Sequence, residues 1–93
     1  MSQNLEKIFL TVIGRNDVGI IAAISATFLA YKISINDITQ KILDDKFVLF
    51  MVLECRPDMN LKNLQKHLEE TTRSFQLKFM IAHEELFNSM HRI

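Results

Sequence analysis

Ninety-three residues fit one small domain. A chain of this length buries only about 60–65% of its unfolded surface, so self-association is expected to supply part of its stability. Eleven Lys and Arg residues balance eleven Asp and Glu residues without forming a dense cluster, which argues against nucleic acid as a partner.

The single cysteine, Cys55, can form no internal disulfide, and the first nine residues carry no secretory apolar core. A cytoplasmic protein is expected. The longest uncharged apolar segment, Val18 to Tyr31, falls short of the roughly 20 residues that cross a bilayer, so it must be buried in protein and no membrane partner is expected.

With two glycines, one proline and no linker-like stretch, the chain reads as nearly continuous regular structure. Glu6 to Ile13 alternates as a strand, and Val18 to Tyr31 follows as an uncharged helix starting near Asp17. Ile33 to Leu43 is a second strand, closed by a polar hairpin turn at Asp44-Asp45-Lys46. Phe47 to Cys55 is a third strand, ended by Pro57. Its run Phe-Val-Leu-Phe-Met-Val-Leu lacks clean alternation, which predicts a central position with both faces covered and puts Phe47 and Phe50 in the core. Asp58 or Asn60 then caps a helix reaching about Ser74, with Leu61, Leu64, Leu68 and Phe75 on its buried side. Phe75, Leu77, Phe79 and Ile81 alternate as a last strand. Glu84 to Ile93 forms a short helical tail with Leu86, Met90 and Ile93 on one side.

The order βαββαβ, with right-handed crossovers, gives an α+β ferredoxin-like sandwich: a four-stranded antiparallel sheet with two helices on one face. A single domain spans 1–93. The first helix carries no charge, so one side meets the sheet and something else covers the remainder, either the tail or a second subunit. A homodimer or higher even oligomer is expected.

Two places carry polar chemistry. At Gly14-Arg15-Asn16-Asp17-Val18-Gly19-Ile20 a strand ending at Gly14 feeds a helix whose first-turn amides and dipole point at one spot, and Gly19 has no Cβ to shield them. A carboxylate can approach the N–H groups of Val18, Gly19 and Ile20 there. Against this, Asp17 can cap the helix by accepting from Gly19 or Ile20, leaving its spare oxygen for an ammonium. Arg15 offers a guanidinium to an anion or is simply solvated. The second place is Asn36-Asp37, where the parity of Ile33 and Ile35 gives way to that of Ile38 and Ile42. The slip predicts a bulge or a delayed strand start beside the Gly14 loop, or else two solvent-exposed polar residues at a loop exit.

These segments resemble the ACT domain, a small ligand-binding module of amino-acid metabolism. The resemblance rests on Thr11-Val12-Ile13-Gly14, on Asn16-Asp17-Val18-Gly19-Ile20 and on Ile35-Asn36-Asp37-Ile38-Thr39-Gln40. The ending Phe87-Asn88-Ser89-Met90-His91-Arg92-Ile93 is similar to that of stand-alone ACT proteins sharing a Phe-x-x-Met-His-Arg-Ile tail. The resemblance implies subunits pairing side by side and an amino-acid effector held between them. Asn16, Asp17, Val18 and Gly19 would fall on the effector loop, with Ile20 beside them, and Ser34, Ile35 and Asn36 on the second strand. Val18 replaces a common proline, and Lys32-Ile33-Ser34 replaces a usual Gly-x-Asn, which exchanges an amide for a hydroxyl.

Catalytic readings are weaker. Cys55 has no adjacent base, and His67, His83 and His91 lack metal-ligand spacing, so neither enzyme, metal nor cofactor is expected. The Gly-rich loop of an acyl-phosphate hydrolase is absent, as are the basic and aromatic central strands of an RNA-binding sheet. Two functions stand: a small-molecule sensor with an effector site between subunits, and a structural or adaptor dimer with no effector.

Overall fold

The computed structural model describes residues 5–15 and 17–84. Asn16 and the expected tail helix beyond Glu84 lie outside the described residues. Six elements follow in order: β1 (Glu6–Arg15), α1 (Ile20–Ala30), β2 (Ser34–Leu43), β3 (Lys46–Cys55), α2 (Leu61–Ser74) and β4 (Lys78–His83). The strands pair antiparallel in the order β2-β3-β1-β4, so β1 and β2 run in the same direction with β3 between them. This is the expected ferredoxin-like arrangement.

The core forms on one side of the sheet. Ile8, Leu10 and Val12 of β1 and Phe47, Leu49, Met51 and Leu53 of β3 meet Ile20, Ile24 and Phe28 of α1 and Leu64 and Leu68 of α2. The helical residues recur at four-residue steps and the strand residues at every second position, as burial of one face requires. β3 is central, as expected, but its burial alternates strictly. Val48, Phe50 and Val52 point away from the helices and are half-buried, so Phe50 is not in the main core. Its ring lies 5.8 Å from that of Phe9 on the outer face. The uniformly apolar composition of β3 hid an ordinary two-sided pattern.

Both helices end in the same way. In α1 the N–H groups of Lys32 and Ile33 return to Leu29 and Phe28; in α2 those of Gln76 and Leu77 return to Arg73 and Thr72. Lys32 and Gln76 adopt left-handed backbone at φ 56, and the apolar residue after each, Ile33 or Leu77, is buried. These are Schellman closures built without glycine. Phe75 therefore caps α2 rather than opening the last strand. At the other end of α2, Asn60 Oδ1 accepts from the Asn63 N–H at 3.1 Å, the expected cap.

The helical layer stops short of β2. All ten residues of this edge strand are exposed, including Ile35, Ile38 and Ile42 on its helix side.

Candidate functional site: the first turn and the start of the second strand

The strand does not stop at Gly14. β1 continues through Gly14, paired with Phe47, to Arg15, paired with Lys46. The helix begins at Ile20 rather than near Asp17, because Gly19 at φ 87 and ψ 2 is in the left-handed region and cannot be a helical residue. The first intrahelical bond runs from the Ala23 N–H to the Gly19 carbonyl at 3.0 Å. The amides of Ile20, Ile21 and Ala22 accordingly have no acceptor within the helix.

Asp17 is not the cap. Its Oδ1 accepts from the Val18 N–H at 2.8 Å, and no side chain caps α1. The amides left without an intrahelical acceptor are therefore those of Ile20–Ala22 rather than Val18–Ile20. Ile20 is only 2% exposed over the whole residue, backbone included, so the structure places it in the core and takes it out of the expected ligand site. Val18 projects at 92% exposure, and a Cβ built on Gly19 meets nothing within 4 Å, which leaves the space over the turn open.

At the second place the parity slip is a bulge. Ser34 pairs with Glu54, Ile35 with Leu53 and Asp37 with Val52, which leaves Asn36 as the extra residue. The slip keeps both Ile35 and Ile38 on the helix side of the sheet, opposite Leu53 and Met51. Asp37 repeats the local arrangement of Asp17, its Oδ1 accepting from the Ile38 N–H at 2.8 Å. Ser34, Ile35 and Asn36 are all exposed.

The two places are not neighbours within one chain, and the expected proximity of Asn36-Asp37 to the Gly14 loop is corrected. β2 pairs with β3, not β1, and it starts at the opposite end of the sheet from the first turn. Gly14 is level with Phe47 and Ser34 with Glu54. Seven residue steps along β3, from Phe47 to Glu54, separate these positions, about 23 Å at 3.3 Å per residue. No single amino acid reaches both from one subunit.

Two apolar surfaces stay uncovered within the chain, one on α1 and one on β2. Along the outward side of α1 lie Ala22, Ala26, Leu29 and Ala30, with Leu29 at 79% exposure, and β2 is exposed along its whole length. The lack of charge in α1 was the available signal; the edge position of β2 was not readable from its composition.

Other reactive groups are placed structurally. Cys55 is buried, and burial followed by the nearby Glu6 carboxylate pushes its thiol above the ordinary range. His83 Nδ1 lies 3.7 Å from Glu6 Oε2 at the partly exposed end of the sheet. Among the described residues no three metal-ligating side chains converge, and no helix is long and apolar enough to cross a membrane.

Comparison with known proteins gives the same fold. A UPF0237 protein of Clostridium acetobutylicum is 35% identical over 89 residues, spanning 94% of this chain and 99% of its own length. A UPF0237 protein of Methanocaldococcus jannaschii is 30% identical over 90 residues, spanning 96% and 100%. An ACT domain protein from Streptococcus pneumoniae superposes with a TM-score of 0.79 at 26% identity, covering 90% of this chain and 96% of that one. The ACT domain model matches residues 6–82, and with these relatives the chain belongs to the ACT domain family, among its single-domain UPF0237 proteins.

Proposed function

We propose that this chain is a regulatory domain that senses an amino acid or related small carboxylate, held between two subunits paired along β2. One observation carries the reading: the two polar segments lie at opposite ends of the sheet, while β2 is an exposed edge. Antiparallel pairing of β2 with its two-fold copy sets the Ser34 end of one subunit beside the Leu43 end of the other. That second end is also where the partner's first turn lies. Asp17 and the amides of Ile21 and Ala22 from one subunit then face Ser34, Ile35 and Asn36 from the other, with Asn16 and Gly19 completing the loop. A zwitterion suits this pairing, its carboxylate on the amides and its ammonium on a carboxylate oxygen. Binding stabilises the paired state, and another protein reads the change in population. The role is regulatory rather than catalytic.

The test is a thermal-shift screen of the full chain against the amino acids and related carboxylates. A ligand at 100-fold above its Kd adds about 2.7 kcal/mol, so an effector raises the melting temperature visibly. Asp17→Ala then separates fold from site. Its carboxylate is exposed and bonds only locally, so stability falls by less than about 1 kcal/mol while effector affinity drops. A stable dimer whose melt no metabolite shifts would leave the adaptor reading in its place. That alternative draws support from the exposed Val18 and Leu29, which suit a protein surface as well as they suit a subunit partner.

A further inference from the structure

We propose that residues 85–93 dock across the outer face of the sheet, over the row formed by Ala82, Phe9 and Val52. The register puts three rows on this face: Ala82, Phe9 and Val52; Met80, Thr11 and Phe50; Lys78, Ile13 and Val48. Burial climbs steeply along one edge strand. On the same side of β4, Lys78 is exposed, Met80 is 54% exposed and Ala82 only 7%. On β1 Ile13 is exposed, Thr11 and Phe9 are half-buried, and Lys7 beyond them is exposed again. An edge strand lying bare would be open along its whole length, so the end of the face nearest His83 has cover that the Lys78 end lacks.

The occupant follows from where the described chain stops. The last described residue, Glu84, lies just past the end of β4 two positions beyond Ala82, and the residues that follow it, 85–93, carry Leu86, Phe87, Met90 and Ile93. From β4 to β3 is about 10 Å at the usual strand spacing. Nine residues cover about 13 Å as a helix and about 30 Å when extended, so either form reaches. Leu86, Met90 and Ile93 recur at helical spacing and can present one apolar side to the row. A second sheet fits less well. A second sheet laid over the whole face would also cover Lys78 on β4 and Lys41 on β2, the charged ends of the far row, at a desolvation cost. With the outer face taken by its own chain, assembly is left to the β2 edge and α1. The inference stands independently of any effector.

The test is nuclear Overhauser spectroscopy on the isotopically labelled full chain, with a second sample mixing labelled and unlabelled protein. Docking gives contacts within one chain between the Ala82 methyl or Phe9 ring and the side chains of Leu86, Met90 or Ile93. In full-length Met90→Asp those contacts vanish, and resonance changes concentrate on Phe9, Val52 and Ala82 rather than on β2. Absence of such contacts in the wild-type chain overturns the proposal. So does their appearance only between chains in the mixed sample, which would mean a swapped segment or a second copy on this face.

Discussion

Gly14 lies directly beneath Leu77. A Cβ built on the glycine would sit 2.4 Å from Leu77 Cδ2, 3.2 Å from Leu77 Cα and 3.4 Å from the Gln76 carbonyl oxygen. Leu77 is the buried apolar residue that closes α2, so the turn into β4 rests on the end of β1 just before the first turn. The glycine of the opening motif thus permits a close approach between two elements. It does not terminate a strand, and its backbone needs no left-handed conformation.

Gly14→Ala is accordingly expected to cost about 1–3 kcal/mol, the range for overpacking a filled site. Leu77→Ala alone costs about 2–5 kcal/mol through the cavity it leaves. The double variant should lose less than the sum, because removing Cδ2 frees the space the new methyl needs. Urea denaturation of the three variants measures this; strict additivity would show that the two residues do not share the site.

Gly19 needs the opposite argument. Nothing crowds a Cβ there, yet φ 87 strains any L side chain. Gly19→Val should destabilise by about 1–3 kcal/mol, and Gly19→Asn by distinctly less because asparagine tolerates left-handed backbone. Equal melting temperatures for the two variants would count against the assigned conformation.

The contrast between these glycines marks how far the sequence could be read. Periodicity gave all six elements because the core residues of β1, α1 and α2 recur at the spacing their geometry imposes. The parity of Ile35 and Ile38 gave the bulge. Gly19 gave the place of the turn but not its conformation, so helix start and cap were put two residues early. Strand order was implied by the fold, yet which segments share an end of the sheet depends on β1 and β2 running in the same direction. Chain-order reading put Asn36 and Asp37 beside Gly14 for that reason. Phe50 was misplaced because an apolar residue on a half-covered face looks, in sequence, like a core residue.

Lys32 explains a departure that was visible in the sequence. The position following α1 is left-handed, and glycine occupies it at no steric cost, whereas lysine at φ 56 is strained. Lys32→Gly should stabilise the protein by about 0.5–1 kcal/mol, and Gln76→Gly, at the matching position after α2, by a similar amount. Chemical denaturation decides it, a fall in midpoint for either variant being the contrary result.

Cys55 makes stability depend on alkaline pH. Burial, and then Glu6, raise its pKa in the folded state, so the unfolded chain releases the proton first. The stabilisation is complete below the unfolded thiol value of about 8.5 and is lost as pH rises through the folded value. Cys55→Ala should flatten the thiol's part of the decline in melting temperature above about pH 8.5, against a uniformly lower melt from the lost packing. The native thiol should react slowly with an alkylating reagent and quickly once unfolded; rapid native labelling would mean that it is not enclosed.

Leu29 tests the subunit pairing proposed above. It is 79% exposed on the outward side of α1, so a polar residue there creates no cavity in a single chain. If α1 and the β2 edge form the interface, Leu29→Glu buries an unpaired carboxylate at each subunit contact and separates the dimer. The monomer should keep its circular dichroism spectrum, because the core residues Ile20, Ile24 and Phe28 lie on the other side of the helix. Ile38→Lys should act the same way from the helix side of β2, and the two together should be no worse folded than either. Light scattering across a concentration series reads the mass. A dimer that survives both changes would place the interface elsewhere and remove the basis for assembling the two halves of the site between subunits.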